Sequence, residues 1–177
     1  MKKLLLIMLL LLSSCSNTVD SKQQGACSFN EPCTSEKSEG VKDNLSFDIV
    51  SFKDSIELLK GTAVLFYSFD DCPYCKEAKP MLVEASKQFE DIKTYYVDVS
   101  REERVSDNET YKTLFEIFKP YLEEEGFDKL YMPYFVFVKD GQIVYTHTST
   151  IDDSLDLTTT QKEELLNLFI EAYKKLQ

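Results

Sequence analysis

Two cysteines separated by a proline and a tyrosine, Cys72-Pro73-Tyr74-Cys75, are the residues whose types and spacing can do chemistry. A thiolate attacks disulfides, and a second thiol close by can complete the exchange. The apolar run Ala63-Val64-Leu65-Phe66-Tyr67 precedes the pair and reads as a buried strand. Ala78, Met81, Leu82, Ala85 and Phe89 follow at helical spacing, so a helix begins at or near the motif. Cys72 then stands at a helix N-terminus with Pro73 in the first turn, where its missing N–H has no helical partner to lose. Unpaired N–H groups and the positive dipole end stabilise a thiolate there, and the expected chemistry is thiol–disulfide exchange.

The elements that must hold this motif follow from the rest of the pattern. Phe47, Ile49 and Val50 suggest a first strand, and Ser51 to Lys60 carries Phe52, Ile56 and Leu59 at helical spacing, with Gly61 as a stop. Pro80 is expected to kink the motif helix. Ile92 to Val99 alternates as a strand. Ser106-Asp107-Asn108-Glu109 has the form of a capping box before a helix bearing Tyr111, Leu114, Phe115 and Phe118. Pro120 interrupts that helix or starts another reaching Gly126, and Glu123-Glu124-Glu125 reads as a solvated helix end. Tyr134 to Val138 and Gln142 to His147 make a hairpin turned by Asp140-Gly141, with His147 expected as a surface or edge residue. A second capping box, Thr160 to Glu163, precedes a helix whose apolar face is Leu165, Leu166, Phe169, Ala172, Tyr173 and Leu176. The order β-α-β-α-β-α-β-β-α implies an α/β domain, with a mixed central sheet flanked by helices.

The N-terminal quarter is of another kind. Lys2-Lys3 precedes an apolar run, Leu4 to Leu12, that is too short to span a bilayer and reads as a secretory signal. Its end, Leu12-Ser13-Ser14-Cys15, resembles the bacterial lipobox, which implies cleavage before Cys15 and lipidation of that residue. A plain secretory signal with an incidental Cys15 is the alternative, and in both cases the mature protein leaves the cytosol. The expected division is a signal peptide at 1–14, a polar tether at 15–44 and a folded domain at 45–177. A net charge of -11 over 177 residues argues against a nucleic-acid partner. Membrane attachment would therefore come through Cys15.

Five cysteines less a lipidated Cys15 leave Cys27, Cys33, Cys72 and Cys75 in a disulfide-permissive compartment. Cys27 and Cys33 could close a small structural loop, stay as idle thiols, or form a second redox centre. Four thiolates on one zinc ion is a further alternative. No metal site and no cofactor are expected beyond a redox-active Cys72–Cys75 disulfide.

From about Leu45 to the end, the chain resembles thioredoxin-fold proteins. The resemblance rests on Cys72-Pro73-Tyr74-Cys75 after an apolar strand, Pro80 five residues beyond Cys75, Met132-Pro133 before the hairpin, and the order of elements. It implies that Pro133 is cis and packs beside the redox pair, leaving the preceding backbone free to hydrogen-bond an incoming peptide. Met132, Pro133, Pro73 and Tyr74 would then shape substrate contact. It also implies that Cys72 attacks and Cys75 resolves the mixed disulfide. The segment at about 101–131 reads as an enlarged helical insertion before the cis-Pro, whose aromatic stripe is a lid, a partner-binding face or added core. Two departures stand out. Phe66 occupies the strand position where cytosolic members carry a buried Asp, and Asp70-Asp71 replaces the usual Trp, placing two carboxylates against a Cys72 thiolate.

With a lipidated N-terminus, the chain is also similar to secreted Gram-positive thioredoxin-like proteins, including bacteriocin transport accessory proteins. The expected function is that of an extracytoplasmic, membrane-anchored thiol–disulfide oxidoreductase. Its partners would be protein thiols or disulfides and an electron donor or acceptor, with the direction left open. The alternative is a thioredoxin-like binding or accessory module that holds a partner without turnover.

Overall fold

Six consecutive buried residues, Ala63–Ser68 (β3), require a strand covered on both faces, and β3 is the middle of the sheet. The structure is a computed structural model that describes residues 27–28, 47–105 and 108–177. The signal sequence, Cys15, Cys33 and Ser106 lie outside the described residues. Asp48–Ser51 (β2) and Thr94–Asp98 (β4) join β3 in parallel, and Tyr134–Lys139 (β6) and Gln142–Thr148 (β7) complete the sheet antiparallel. The strand order is β2-β4-β3-β6-β7. This is the mixed α/β sheet, flanked by helices, of a thioredoxin-like fold.

Alternation along the strands sorts the aromatic residues by face. Phe66 stacks on its register partner Phe135, with ring centroids 4.9 Å apart, and Phe135 meets Phe169 of the last helix, Thr159–Lys174 (α4). The motif helix, Pro73–Ser86 (α2), packs against α4. Tyr67 and Tyr134 instead contact Phe118 of the helix Glu109–Glu125 (α3). Tyr111, Leu114, Phe118 and Leu122 are all buried, so the aromatic stripe of segment 101–131 is core.

Several local expectations are corrected. The helix after β2 is a single turn, Ser55–Leu58 (α1), because the strand runs on to Ser51. Pro120 lies inside one continuous helix and neither ends α3 nor starts another, whereas Pro80 lies inside α2 as expected. The N-cap of α3 is Asn108, whose Oδ1 accepts from the Tyr111 N–H at 3.1 Å, and not Ser106. The box at the start of α4 is Thr158 with Gln161, two residues before the expected pair. In both cases the competing Ser/Thr/Asn residues lie too close together in sequence for spacing alone to choose among them. The hairpin is turned as expected, by Asp140 at φ 51° and Gly141 at φ 79°. Gly141 is also required by approach: its N–H donates to the Gly61 carbonyl, and a Cβ would come within 3.2 Å of the Lys60 carbonyl oxygen.

Two short strands were not expected. Cys27–Ser28 (β1) pairs antiparallel with Tyr131–Met132 (β5), inside stretches that read as tether and connection. A two-residue strand carries no periodicity, so nothing local marks it.

Candidate functional site

Cys72 is the N-cap of α2, in an extended conformation (φ -80°, ψ 107°), and Pro73 occupies the first turn. The Cys72 Sγ accepts a hydrogen bond from the Cys75 N–H at 3.2 Å, so the sulfur takes a role usually filled by Ser or Asp oxygen. That N–H, with the helix dipole behind it, favours negative charge on Cys72 once the pair is reduced. Cys72 and Cys75 are joined as a disulfide, their Cα atoms 5.2 Å apart. Three residues connect β3 to Cys72, and the Cys72 N–H closes this loop on the Phe69 carbonyl at 3.1 Å.

The Met132–Pro133 bond is cis, as the resemblance implies. Tyr67 is the register partner of Tyr134, which sets Pro133 beside the end of β3 that runs into the cysteine loop. Met132, Cys72 and Cys75 belong to one continuous core, with Met132 and Cys72 fully buried and Cys75 3 % exposed. Behind the proline, the Pro133 carbonyl accepts from the Ser149 N–H at 2.9 Å. Ser149 is buried at φ 72°, and Asp152 and Asp153 follow at φ 51°. Three non-glycine residues in the left-handed region, each costing on the order of 1 kcal/mol or more, concentrate strain in the loop behind the site. The Tyr74 hydroxyl is shifted upward, first by burial and then by the Asp153 charge, so this loop also reaches the motif's third residue.

The charge around the motif is richer than sequence suggested. Asp70 and Asp71 are exposed. Asp98, at the end of β4, is the register partner of Ser68. Partial loss of hydration, then Asp70 and Glu103, push the Asp98 carboxyl up, while Arg104 pulls it down. Arg104 is the residue that sequence reasoning missed. Its guanidinium lies 3.7 Å from the centre of the Phe69 ring, at the base of the cysteine loop. Burial and Arg101 lower its pKa, against the charges of Asp71, Glu102 and Asp98. It therefore places a cation within electrostatic reach of Asp71 and Asp98, opposite in sign to the carboxylates expected to disfavour a Cys72 thiolate. No periodicity or motif marks a lone Arg in a turn.

Two other residues depart from expectation. His147 does lie on the edge strand β7, yet its ring stacks on Phe135 and meets Phe169 edge-on, and its Nε2 is enclosed without a partner. Burial lowers its pKa to about 4. Glu125 is not part of a solvated run: it is partly buried, accepts from the Thr146 hydroxyl, and its carboxyl is pushed up mainly by burial. Among the described residues, no group of three or more His, Cys, Asp or Glu side chains is placed to hold a metal ion. No helix among them is long and apolar enough to cross a membrane.

No protein-family model and no curated protein matches the chain. Among solved structures, it is similar to thioredoxin from Aeropyrum pernix at 20 % identity, covering 72 % of this chain and 85 % of that one, with a TM-score of 0.42. Chlamydomonas reinhardtii thioredoxin f2 is 17 % identical over 71 % of this chain and 95 % of its own, with a TM-score of 0.44. Malassezia sympodialis thioredoxin (Mala s 13) is 21 % identical over 72 % and 90 %, with a TM-score of 0.42.

Proposed function

We propose that this protein is a thiol–disulfide oxidoreductase, anchored outside the cytosol through Cys15, that acts on protein thiols or disulfides through Cys72 and Cys75. The observation that carries the chemistry is the Cys72–Cys75 disulfide at the N-cap of α2, with the Cys75 N–H aimed at the Cys72 sulfur. Reduced Cys72 attacks a substrate disulfide, giving a mixed disulfide and one substrate thiolate. Cys75 then attacks the Cys72 sulfur, reforming the Cys72–Cys75 bond and releasing the second substrate thiolate. Run backward, the same two steps donate a disulfide to a substrate dithiol. The edge before Pro133 supplies backbone for an extended peptide, and Met132, Pro73 and Tyr74 border it. The location outside the cytosol rests on the leader-like sequence Lys2 to Cys15 alone.

An insulin-reduction assay and a dithiol-oxidation assay, each with wild type and Cys72→Ser, test the activity. Turnover in one direction that Cys72→Ser abolishes is expected; no turnover in either direction by wild type refutes it. Metabolic labelling with a fatty acid, lost in Cys15→Ala, tests the anchor. Full burial of Cys72 favours the second reading, an accessory module that holds a partner without exchange. That reading requires Cys72→Ser/Cys75→Ser to retain partner capture and cellular function.

A further inference from the structure

The edge strand β7 borders a groove that the redox motif does not use. It closes the sheet beside β6, so its outer row of N–H and C=O groups faces no further strand among the described residues. Edge strands are commonly blunted by Lys or Pro of their own, and Gln142–Thr148 carries neither. Residues 144–147 are half-exposed, and with the ends of α3 and α4 they line a cavity of about 440 Å³. Alternation along β7 puts opposite charges on its two faces. Thr146 points to the α3 side, where its hydroxyl donates to Glu125, the last residue of that helix, with Glu124 beside it. Tyr145 and His147 point to the α4 side, where His147 meets Phe169 and the Lys175 Nζ lies 4.5 Å from the centre of the Tyr145 ring. Among the described residues neither Glu125 nor Lys175 has an ion-pair partner. Glu125 is thus a partly buried acid without a cation, a costly arrangement that an incoming positive charge relieves.

We propose that this groove binds an extended segment of a partner protein, which adds a strand to β7 and presents a Lys or Arg to Glu125 and, on the neighbouring residue, an Asp or Glu to Lys175. Main-chain pairing supplies the affinity, and the alternating side chains supply the specificity. Residues directly opposite each other in adjacent strands share a face. The partner residue opposite Thr146 therefore lies on the Glu125 side, and the one opposite Tyr145 lies on the Lys175 side. The two are consecutive, so one basic and one acidic residue side by side satisfy both charges. A second copy of this chain pairing through β7 fits worse, because Gln142–Thr148 has no acid, Lys or Arg to offer either face. The groove is separate from the redox motif: β6 stands between β7 and β3, the strand that leads to Cys72. The inference is independent of exchange at Cys72 and Cys75.

Fluorescence anisotropy of full-length protein with a labelled octapeptide, Thr-Val-Thr-Lys-Glu-Thr-Val-Thr, and with its Glu-Lys isomer tests both strand directions at physiological salt. One of the two should bind at least about five-fold more tightly than the Lys-Lys and Glu-Glu versions. Methylating alternate amide nitrogens of that peptide should weaken it about ten-fold or more, since it removes the donors to the β7 edge. Glu125→Gln, which still accepts from the Thr146 hydroxyl, should weaken binding about five-fold, and Lys175→Glu should turn the preference to Lys-Lys. In wild type, the peptide should slow hydrogen exchange at the amides of residues 144–147, a readout that needs no variant to fold. No binding by either isomer, equal binding of all four charge patterns, or full affinity after N-methylation overturns the proposal. A doubled mass in sedimentation that Thr146→Pro abolishes would put a second copy in the groove, and likewise overturns it.

Discussion

His147→Phe replaces a titratable ring with an apolar one of similar shape, in a pocket already lined by Phe135 and Phe169. Burial lowers the His147 pKa from 6.5 to about 4. The unfolded chain therefore takes up the proton first as pH falls. The folded state is unpenalised well above 6.5, and the penalty grows down to about 4, where it is complete. Between pH 7 and pH 5 it amounts to about 2 kcal/mol at most. Glu125, Glu124, Tyr121, Tyr145 and Lys175 line the same groove as His147. Asp98 and Asp153, whose carboxyls are raised, gain stability on acidification, but both proteins share them and the difference cancels. Urea melts of wild type and His147→Phe at pH 7 and pH 5 measure the effect, stopping short of the pI of about 4.6. The variant should gain about 1 kcal/mol or less at pH 7, where only the unpartnered Nε2 is relieved, and about 2 kcal/mol more at pH 5. An advantage equal at the two pH values would show that His147 titrates normally and that its burial does not govern it.

Arg104→Ala should lower the thiolate fraction of reduced Cys72, read as slower iodoacetamide alkylation at pH 7, and cost about 1 kcal/mol in a urea melt through lost stacking on Phe69. Arg104→Lys should restore the alkylation rate more fully than the stability; equal alkylation by all three proteins would refute the charge argument. Phe66→Asp, which puts back the carboxylate of the cytosolic pattern, should destabilise the domain by more than about 3 kcal/mol, because the position is fully buried between Phe135 and Tyr96. A stable, faster enzyme would show that the site tolerates a buried acid. Phe169→Ala should cost about 3–5 kcal/mol, from lost packing against Phe135 and Phe137. Asn108→Ala should cost about 1 kcal/mol by uncapping α3, read from denaturant midpoints.

By itself, the sequence determined what short-range physics encodes. The Cys72–Cys75 spacing at a strand-to-helix junction, the Asp140-Gly141 turn and the apolar faces of α3 and α4 each lie within one element. Periodicity and backbone preference therefore reveal them. The cis Met132–Pro133 bond was implied only by the family resemblance, since proline makes a cis bond accessible but does not require it. Tertiary structure decided what depends on residues distant in the chain. His147 and Glu125 are drawn inward by Phe169 and Thr146, not by their neighbours in sequence. Arg104 meets Phe69 and the charge of Asp71 only because the turn after β4 folds over the loop after β3. The pairing of Cys27 with Met132 joins residues more than a hundred positions apart, in strands too short to carry any pattern. The motif identifies the sulfurs proposed to exchange electrons; long-range packing decides what stands beside them.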